Sequence, residues 1–255
     1  MLNRVFIHIP RTGGSSVWHS LAHAAFAKGI PVCDIYHECR QRGGSLFGAA
    51  AVVEQVRQIL GPAVPCLFHH HTHEPIVPLF DSRQTEYATI LRDPVDRMIS
   101  AVTHYRQFMQ SDADPDFIAF HAQIWGSDFF AACGDLSVSL EGLVELAASD
   151  KYFTTYYTTF FASLLEVPMA SCALASQVCR TFAVIGHFED LAGSYHDIAT
   201  RFEICGGPMD HTLNTGNKRP AISEADRQRY AAALHADYEL LAEIAERTEQ
   251  KLLVA

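Results

Sequence analysis

Long apolar stretches are missing from this chain of 255 residues, and charged side chains are sparse. No run of about 18 uncharged apolar residues occurs, which excludes a conventional membrane-spanning helix. The residues from Met1 to Arg4 lack the apolar core of a secretory signal, so we expect no signal peptide. Hydrophobic residues make up 49% of the chain and charged residues 19%, which excludes wholesale disorder. The simplest arrangement at this length is one domain over residues 1–255.

Cysteines are few and scattered, and basic residues are outnumbered. The seven cysteines include no C-x-x-C pair, which argues against a zinc ribbon and a disulfide framework and favours a cytoplasmic location.

Nineteen Lys and Arg against 29 Asp and Glu give a formal net charge of −10. This balance disfavours non-specific binding to nucleic acid or to anionic membranes, although it is compatible with one local basic pocket.

Short apolar strands alternate with helical patterns along the chain. Strands are predicted at 3–9, 64–68, 87–91 and 182–185, and helices at 49–60, from Asp93 onward, at 190–202 and after Ser223. Asp93 can cap a helix whose first turn Pro94 fits. Helices between strands indicate parallel pairing through right-handed crossovers, so the pattern predicts an α/β fold. One long final helix is predicted to bury Tyr230, Leu234, Tyr238, Leu241 and Ala245.

The turn after the first strand carries the clearest chemical signal. Its glycines permit a tight bend and close approach of a ligand. The following helix directs its first N–H groups and positive dipole end at the same place. The candidate phosphate-binding residues are Arg11, Thr12, Gly13, Gly14, Ser15 and Ser16. The G-x-x-x-x-G-K-[ST] pattern of a Walker A loop is absent, and a plain strand-to-helix turn is the alternative.

A second polar segment follows the third predicted strand. Arg92 ends that strand, at the edge where open α/β sheets bind ligands. Ser100 lies in the next helix on the same flank as Arg97 and His104, away from the apolar stripe. This placement predicts a second phosphate clasp made of Arg92 and Ser100. An Arg–Asp network at the surface is the alternative.

Taken together, the two segments resemble those of PAPS-dependent carbohydrate sulfotransferases, in particular the group that includes heparan sulfate 2-O-sulfotransferase. That family usually reads F-I-H-I-P-K-T-G-G-T-S and L-R-D-P-x-x-R-x-x-S, where this chain has F-I-H-I-P-R-T-G-G-S-S and L-R-D-P-V-D-R-M-I-S. Segments 184–190 and 214–220 also resemble the family, whereas 112–179 matches nothing that we can name.

The resemblance implies a P-loop-like, three-layer α/β domain with a central parallel sheet flanked by helices. It further implies that 11–16 holds the 5′-phosphosulfate of PAPS (3′-phosphoadenosine 5′-phosphosulfate) and that Arg92 and Ser100 hold the 3′-phosphate. Lys218 and Arg219 are expected to contact the 3′-phosphate or the adenine, with a solvated loop as the alternative. No metal is required by this chemistry, because a sulfuryl group carries less charge than a phosphoryl group.

Position 11 departs from the family pattern, because arginine stands where lysine is usual. Arginine is a wider, planar and permanently charged fork, whereas lysine is a compact point charge. Arg11 can still neutralise charge on the leaving phosphate, and the resemblance makes it a catalytic residue. The substitution bears on the catalytic rate, and a non-catalytic nucleotide-binding protein is the alternative if turnover is lost.

Four histidines follow the second predicted strand. In extended geometry His69, His71 and His73 face one side and His70 faces the other. The resembling enzymes carry an H-x-H pair at this place, which implies His71 as general base and His69 as its support. Histidine suits this role because its pKa lies near neutral pH. The alternatives are a metal site that includes Glu74, and histidines with a structural role only.

The acceptor is expected to be a hydroxyl-bearing small molecule or saccharide. A net charge of −10 makes a broad basic groove for a polyanionic polymer hard to build, so a neutral sugar, a glycolipid or a small alcohol is favoured. A kinase-like P-loop phosphotransferase is a further alternative. The missing Walker A pattern argues against it. The oligomeric state is not encoded in any pattern that we find.

Overall fold

The structure is a computed structural model that describes residues 2–41, 48–61, 63–110, 127–204, 207–209, 220 and 222–254. The chain forms two compact units. The first comprises Met1–Arg92, Phe160–Leu213 and Glu243–Ala255, and the second comprises Asp93–Thr159 and Asn214–Ala242. Among the described helices, none combines the length and the hydrophobicity that a bilayer crossing requires.

The first unit contains the sheet. The described strands are β1 (Asn3–Ile7), β2 (Val32–Asp34), β3 (Leu67–His70), β4 (Thr85–Leu91) and β5 (Phe182–His187). The helices of this unit are α1 (Gly14–Ala27), α2 (Ile35–Gln41), α3 (Ala49–Leu60), α9 (Ser171–Thr181) and α10 (Leu191–Arg201). Short 3₁₀ turns cover Val77–Leu79 and Phe188–Asp190.

The second unit is helical in its described part. Its helices are α4 (Pro94–Gln110), α5 (Ser127–Gly134), α6 (Leu140–Ser149), α7 (Lys151–Thr154) and α11 (Glu224–Ala233). Two further helices, α8 (Tyr156–Leu165) and α12 (His235–Val254), contribute residues to both units.

All five strands run parallel in the order β2-β3-β1-β4-β5. This arrangement confirms the predicted α/β fold with a central parallel sheet flanked by helices. After the central strand β1, the chain forms β2 and β3 on one side of it and then β4 and β5 on the other side. The carboxyl ends of β3, β1 and β4 therefore lie at a topological switch point, the place where open α/β sheets bind ligands.

The two faces of the sheet are covered differently. On one face, a buried apolar cluster joins the strands to α1 and α10, and its members include Phe6, Leu67, Ile90, Val17, Leu21, Ile198 and Phe202. On the other face, aromatic rings meet edge to face. Phe68 packs on Phe80 with ring centroids 5.0 Å apart, and Tyr87 lies 6.2 Å from Phe182. Burial on both faces explains why the strands read as continuous apolar runs.

Several strand and helix boundaries differ from the sequence-based prediction. The first strand ends at Ile7 rather than at residue 9, and β3 begins at Leu67 rather than at 64. The three-residue strand β2 was not predicted, because it is too short to show a period. The final helical segment breaks at Leu234, between α11 and α12.

The break at Leu234 changes which side chains are buried beyond it. Leu240 and Ile244 are buried, whereas Tyr238 and Leu241 are only partly buried and Ala245 is exposed. The predicted inner face is therefore wrong after the break. The prediction assumed one continuous helix, in which the buried positions follow a single period of 3.6 residues, and the break at Leu234 shifts that period.

In the second unit, polar contacts fix the start of α4. Asp93 caps the helix as predicted, since its Oδ1 accepts the backbone N–H of Asp96 at 2.9 Å. The guanidinium of Arg227 donates hydrogen bonds to the carboxylates of Asp93 and Asp96, each at 2.9 Å. Arg97 and Ser100, on the flank of α4 away from the predicted apolar stripe, are both buried, at 0% and 4% exposure. The reason is that α4 packs against other helices of its unit on more than one side.

Asp237 is a second buried polar anchor of this unit. Its carboxylate accepts hydrogen bonds from the backbone N–H groups of Tyr157 and Thr158 and from the Thr158 hydroxyl, each at 3.0 Å. Burial raises the pKa of Asp237, although these donors and the charge of Arg97 oppose the shift. The guanidinium of Arg97 lies 3.6 Å from the ring centroid of Tyr156.

Replacing Asp237 with alanine is expected to lower the free energy of unfolding by about 3–5 kcal/mol, because it leaves three buried donors and the Arg97 charge uncompensated. The measurement is urea unfolding followed by circular dichroism. Asp226→Ala is the control, since Asp226 binds Ser223 and Arg229 at the surface, and we expect a clearly smaller loss. Asp237→Asn keeps the volume and serves if the alanine variant does not fold. Equal losses in the Asp226 and Asp237 variants would contradict this assignment.

Candidate functional site at the carboxyl edge of the sheet

The loop between β1 and α1 is shaped by two glycines. Gly13 has a φ of +84°, a left-handed conformation that favours glycine. A Cβ on Gly13 would lie 2.9 Å from Phe188. A Cβ on Gly14 would overlap the ring of His8, at 2.8 Å from Nε2 and closer still to Cδ2. The absence of side chains at both positions allows α1 to begin directly against the carboxyl edge of the sheet.

The N-terminus of α1 has the properties of an anion-binding helix end. No side chain caps the helix, and its first turn contains no acidic residue. The N–H groups of Ser16 and Val17 turn back to the carbonyl of Gly13, whereas among the described residues no acceptor is recorded for those of Gly14 and Ser15. Uncapped N–H groups and the helix dipole favour a bound anion at such a position.

Arg11 and Thr12 hold the rest of this loop. Arg11 has a φ of +71°, which is uncommon for a residue with a side chain and costs of order 1–3 kcal/mol. Thr12 is fully buried, and its hydroxyl donates to the carbonyl of Ile9 at 2.8 Å. Backbone strain of this kind persists where the surrounding structure enforces it, and here the hydrogen bond from Thr12 to Ile9 fixes the loop.

Arg92 joins this loop from the neighbouring strand. It follows β4 directly, is 3% exposed, and donates from Nη1 to the carbonyl of Arg11 at 3.1 Å. Its guanidinium carbon lies 4.0 Å from the ring centroid of Phe188, a cation–π distance. The structure therefore brings Arg92 into contact with the loop at 11–16, and both were predicted to bind phosphates.

The other predicted donor-site residues do not belong to the described part of the first unit. Ser100 belongs to the second unit, where it is buried in α4, and its phosphate contact stays a prediction. Lys218 and Arg219 lie outside the described residues. Their role also stays a prediction.

The four histidines at the end of β3 and directly after it separate into two groups. His69 and His71 both stack with His8, with ring centroids 5.3 Å and 4.2 Å away. His70 instead hydrogen-bonds the carbonyl of Glu74 at 3.1 Å, and His73 packs edge to face on Phe160. The opposite placement of His70 follows from the alternation of a strand, whereas His73 comes after the strand has ended and does not share the side of His69.

His69 is the centre of a hydrogen-bonded chain that the sequence did not reveal. Its Nδ1 lies 2.9 Å from Oδ2 of Asp34, and its Nε2 lies 3.2 Å from Nδ1 of His8. The indole of Trp18 stacks on its ring at 4.5 Å and 8°. His8 and Asp34 were missed because the signal is not local. Only the parallel pairing of β2, β3 and β1 places Asp34, His69 and Phe6 side by side.

Burial lowers the pKa values of three histidines at this edge, His8, His70 and His71. It lowers the pKa of His71 to about 3 and that of His70 to about 4, with neighbouring histidines adding to the effect. Burial, followed by the charges of His71, His69 and Arg11, also holds the pKa of His8 well below its usual range. A neutral imidazole is the form that can accept a proton.

Glu74 has a structural role in the described part of the chain. Its carboxylate accepts the backbone N–H groups of Gly48 and Ala49 at 3.1 Å and so caps α3. Within the described ranges, no group of three or more His, Cys, Asp or Glu residues is arranged to hold a metal ion. The six cysteines in those ranges form no disulfide.

Comparisons with known proteins find similarity among solved structures. No protein-family model and no curated protein matches the chain. Among solved structures, it is similar to the crystal structure of a sulfotransferase from Alicyclobacillus acidocaldarius, with 15% identity, 96% coverage of each chain and a TM-score of 0.44. A likeness at this level carries no argument about function.

Gly14→Ala is expected to displace the His8 ring and to lower the free energy of unfolding by about 1–3 kcal/mol, the usual cost of overpacking. Gly142→Ala is the matched control, because Gly142 also lies in the first turn of a helix and a Cβ there meets nothing closer than 3.4 Å. The control is expected to be neutral or stabilising by about 0.5–1 kcal/mol. Thermal and urea unfolding measure both effects. Equal stability of the two variants would contradict the close approach of α1 to His8.

The neutral histidines predict a loss of stability in mild acid. The unfolded chain binds protons near the ordinary histidine pKa of about 6.5, and the folded chain binds them only near the lowered values. Stability is therefore complete above about pH 6.5 and is lost as the pH falls toward the folded pKa values. Between pH 7 and pH 5 each such histidine costs about 2 kcal/mol.

His70→Gln tests this pH dependence, because glutamine removes one titrating group and can still donate to the carbonyl of Glu74. Urea unfolding at pH 7 and pH 5 is expected to show a loss about 2 kcal/mol smaller in the variant than in the parent. An identical pH dependence of the two proteins would show that His70 titrates normally in the folded state.

Proposed function

We propose that this protein is a PAPS-dependent sulfotransferase that transfers a sulfuryl group to a hydroxyl of a carbohydrate or another small acceptor. The observation that carries the proposal is the hydrogen bond from Arg92 to the carbonyl of Arg11. It unites a buried cation with the glycine loop at the N-terminus of α1, and both parts belong to the first unit. A nucleotide with phosphates at both ends needs such a pair of adjacent anion sites.

The described residues fit a phosphosulfate in this loop. Gly13 and Gly14 pack so closely against Phe188 and His8 that neither position can take a Cβ, and the first turn of α1 contains no acidic residue that would compete with an anion. Arg92 is held in place by Phe188 and by the Arg11 carbonyl. We assign Arg11, Thr12, Gly13, Gly14, Ser15, Ser16 and Arg92 to the donor site. Ser100, Lys218 and Arg219 extend this assignment as sequence-based predictions.

The chemistry divides between the loop and the histidines. The donor supplies the sulfuryl group. Arg11 and the N–H groups of α1 stabilise the charge that develops on the leaving 5′-phosphate. A neutral histidine takes the proton of the attacking hydroxyl, and the sequence-based prediction for this base is His71, with His69 beside it. Holding the reactants in line supplies a further part of the rate enhancement.

The acceptor is proposed to be a neutral hydroxyl compound. The chain carries 19 basic against 29 acidic residues, and two of the basic residues, Arg11 and Arg92, are committed to the donor. A polyanionic polymer would require a further basic groove. The charge balance thus favours a neutral sugar, a glycolipid or a small alcohol.

Isothermal titration with PAP, the desulfated product, tests the donor site. We expect binding in the absence of Mg²⁺ and a Kd raised about 10- to 100-fold in Arg92→Ala, the effect of losing one hydrogen bond to a charged group. Arg57→Ala is the control, because Arg57 also packs on an aromatic ring, that of Phe80, but lies in α3 outside the proposed site.

Other results of the same titration would contradict the proposal. Preference for ATP with Mg²⁺ would favour a phosphotransferase. Tight PAP binding without sulfuryl transfer from PAPS to any hydroxyl compound in a panel of neutral sugars and alcohols would favour a nucleotide-binding protein without catalytic activity. Absence of PAP binding in the parent protein would end the sulfotransferase proposal.

A further inference from the structure

We propose that the proton acceptor is His8 rather than His71, and that Asp34 and His69 form a relay that moves the resulting charge away from the reacting atoms. This inference rests on the proposed function for its reaction, and on the described geometry of the first unit for its residues. It adds a base, His8, and a positioning residue, Asp34, that the sequence pattern did not single out, and it places His69 between them.

The hydrogen bonds of the chain Asp34–His69–His8 fix the positions of its protons. A carboxylate can only accept, so the proton between Asp34 and His69 belongs to Nδ1 of His69. The Nε2 of a neutral His69 then carries a lone pair and accepts from Nδ1 of His8. This leaves Nε2 of His8 without a proton. The order of base, orienting group and carboxylate is the arrangement that orients an imidazole base in other enzymes.

The unprotonated nitrogen of His8 lies on the ring edge that faces the loop. That edge packs against Gly14, where a Cβ would come within 2.8 Å of Nε2. Among the described residues, no hydrogen bond to this Nε2 is recorded. Gly14 is the first residue of α1 and part of the proposed donor cradle, so the basic nitrogen is adjacent to the place where charge is transferred.

Stacking holds the rings of His8 and His69 in the orientation that their hydrogen bonds need. Trp18 lies parallel to His69 at 4.5 Å, and His71 lies parallel to His8 at 4.2 Å and 5°. These contacts restrict rotation of the imidazoles about their own bonds. A base whose ring is fixed loses less entropy when the reaction occurs.

His71 lacks the same support. It stacks on His8 and meets Tyr36 edge to face at 5.5 Å. Within the described part of the chain, no hydrogen bond from its ring nitrogens is recorded. Its parallel rings with His8 also prevent direct proton exchange between the two, because their nitrogens do not point at each other. In this proposal His71 has a positioning role, because its stacked ring fixes the orientation of the His8 ring.

The relay explains how a buried imidazole can still accept a proton. Burial is the main cause that lowers the pKa of His8, and a positive charge on His71, His69, Arg11 or His19 would lower it further. A positive charge on His69 would instead lie in hydrogen-bond contact with the carboxylate of Asp34. Burial works to raise the pKa of Asp34, but the hydrogen bonds from His69 and from the N–H of His37 hold it below its usual value. An ionised carboxylate is therefore in direct contact with His69.

The proposed step is balanced as follows. The O–H bond of the acceptor breaks and its proton joins Nε2 of His8. The Nδ1 proton of His8 moves to Nε2 of His69, which becomes an imidazolium bonded to the Asp34 carboxylate. The acceptor oxygen forms a bond to sulfur, and the bond between sulfur and the 5′-phosphate oxygen breaks, with its electron pair leaving on PAP.

Ring ¹⁵N NMR of the uniformly labelled protein at pH 7 tests the relay without requiring an acceptor. We expect His8 and His69 both to be protonated on Nδ1, with unprotonated Nε2. His69→Phe keeps a ring against Trp18 but removes the acceptor of the His8 proton, so His8 should change to the Nε2–H form. His70→Gln is the control on the same strand and should leave the His8 signals unchanged. The three substitutions His8→Gln, His69→Phe and His71→Gln assign the resonances.

The outcomes separate this inference from the proposed function. If His8 carries its proton on Nε2 in the parent protein, with and without PAP, the relay is wrong even though PAP binding supports the donor site. If PAP does not bind, the sulfotransferase proposal fails while the tautomers still report on the hydrogen-bonded chain.

Kinetics give a second test once an acceptor is found in the panel. His8→Gln is expected to lower kcat by about 10²- to 10⁴-fold, the usual contribution of a general base, with the Kd for PAP within threefold of the parent. Asp34→Asn should give a smaller loss and alter the pH profile of kcat, because it changes the charge that His69 faces. A larger loss in His71→Gln than in His8→Gln, at equal PAP affinity, would return the role of base to His71.

Discussion

The contact between Gly14 and the ring of His8 is the constraint on which the candidate site depends. A helix that begins at Gly14 without a side chain can bring its N–H groups against the edge of the sheet. The same contact places the Cδ2–Nε2 edge of the His8 ring directly against the loop. The uncapped start of α1 and the ring of His8 are therefore in contact, and any Cβ at this position would separate them.

The charges at this edge of the sheet complement an anion. The protein as a whole is acidic, yet Arg11 and Arg92 come together at this edge, and the carboxylate of Asp34 is engaged with His69. Burying Arg92 carries a desolvation cost. The ring of Phe188 and the carbonyl of Arg11 offset part of that cost and keep the guanidinium in position.

The second unit shows the same reliance on buried polar groups in a structural setting. Asp237 gathers two backbone N–H groups and a hydroxyl at the start of α8, and Arg97 lies over Tyr156 with complete burial. Such groups fix one packing arrangement because each alternative would leave a donor or a charge without a partner. Asp93 has a similar role nearer the surface, where its carboxylate both caps α4 and forms an ion pair with Arg227.

The amino-acid sequence by itself determined the alternation of strands and helices, the cap at Asp93, the glycine bend at 13–14 and the position of Arg92 at the end of β4. These features follow from local periodicity, capping and turn chemistry, which act over a few residues. The strand β2, the break at Leu234 and the burial of Arg97 and Ser100 were decided by packing between elements distant in the chain. The chain of Asp34, His69 and His8 was decided in the same way, because the register of three parallel strands places these side chains together and no local pattern encodes that register.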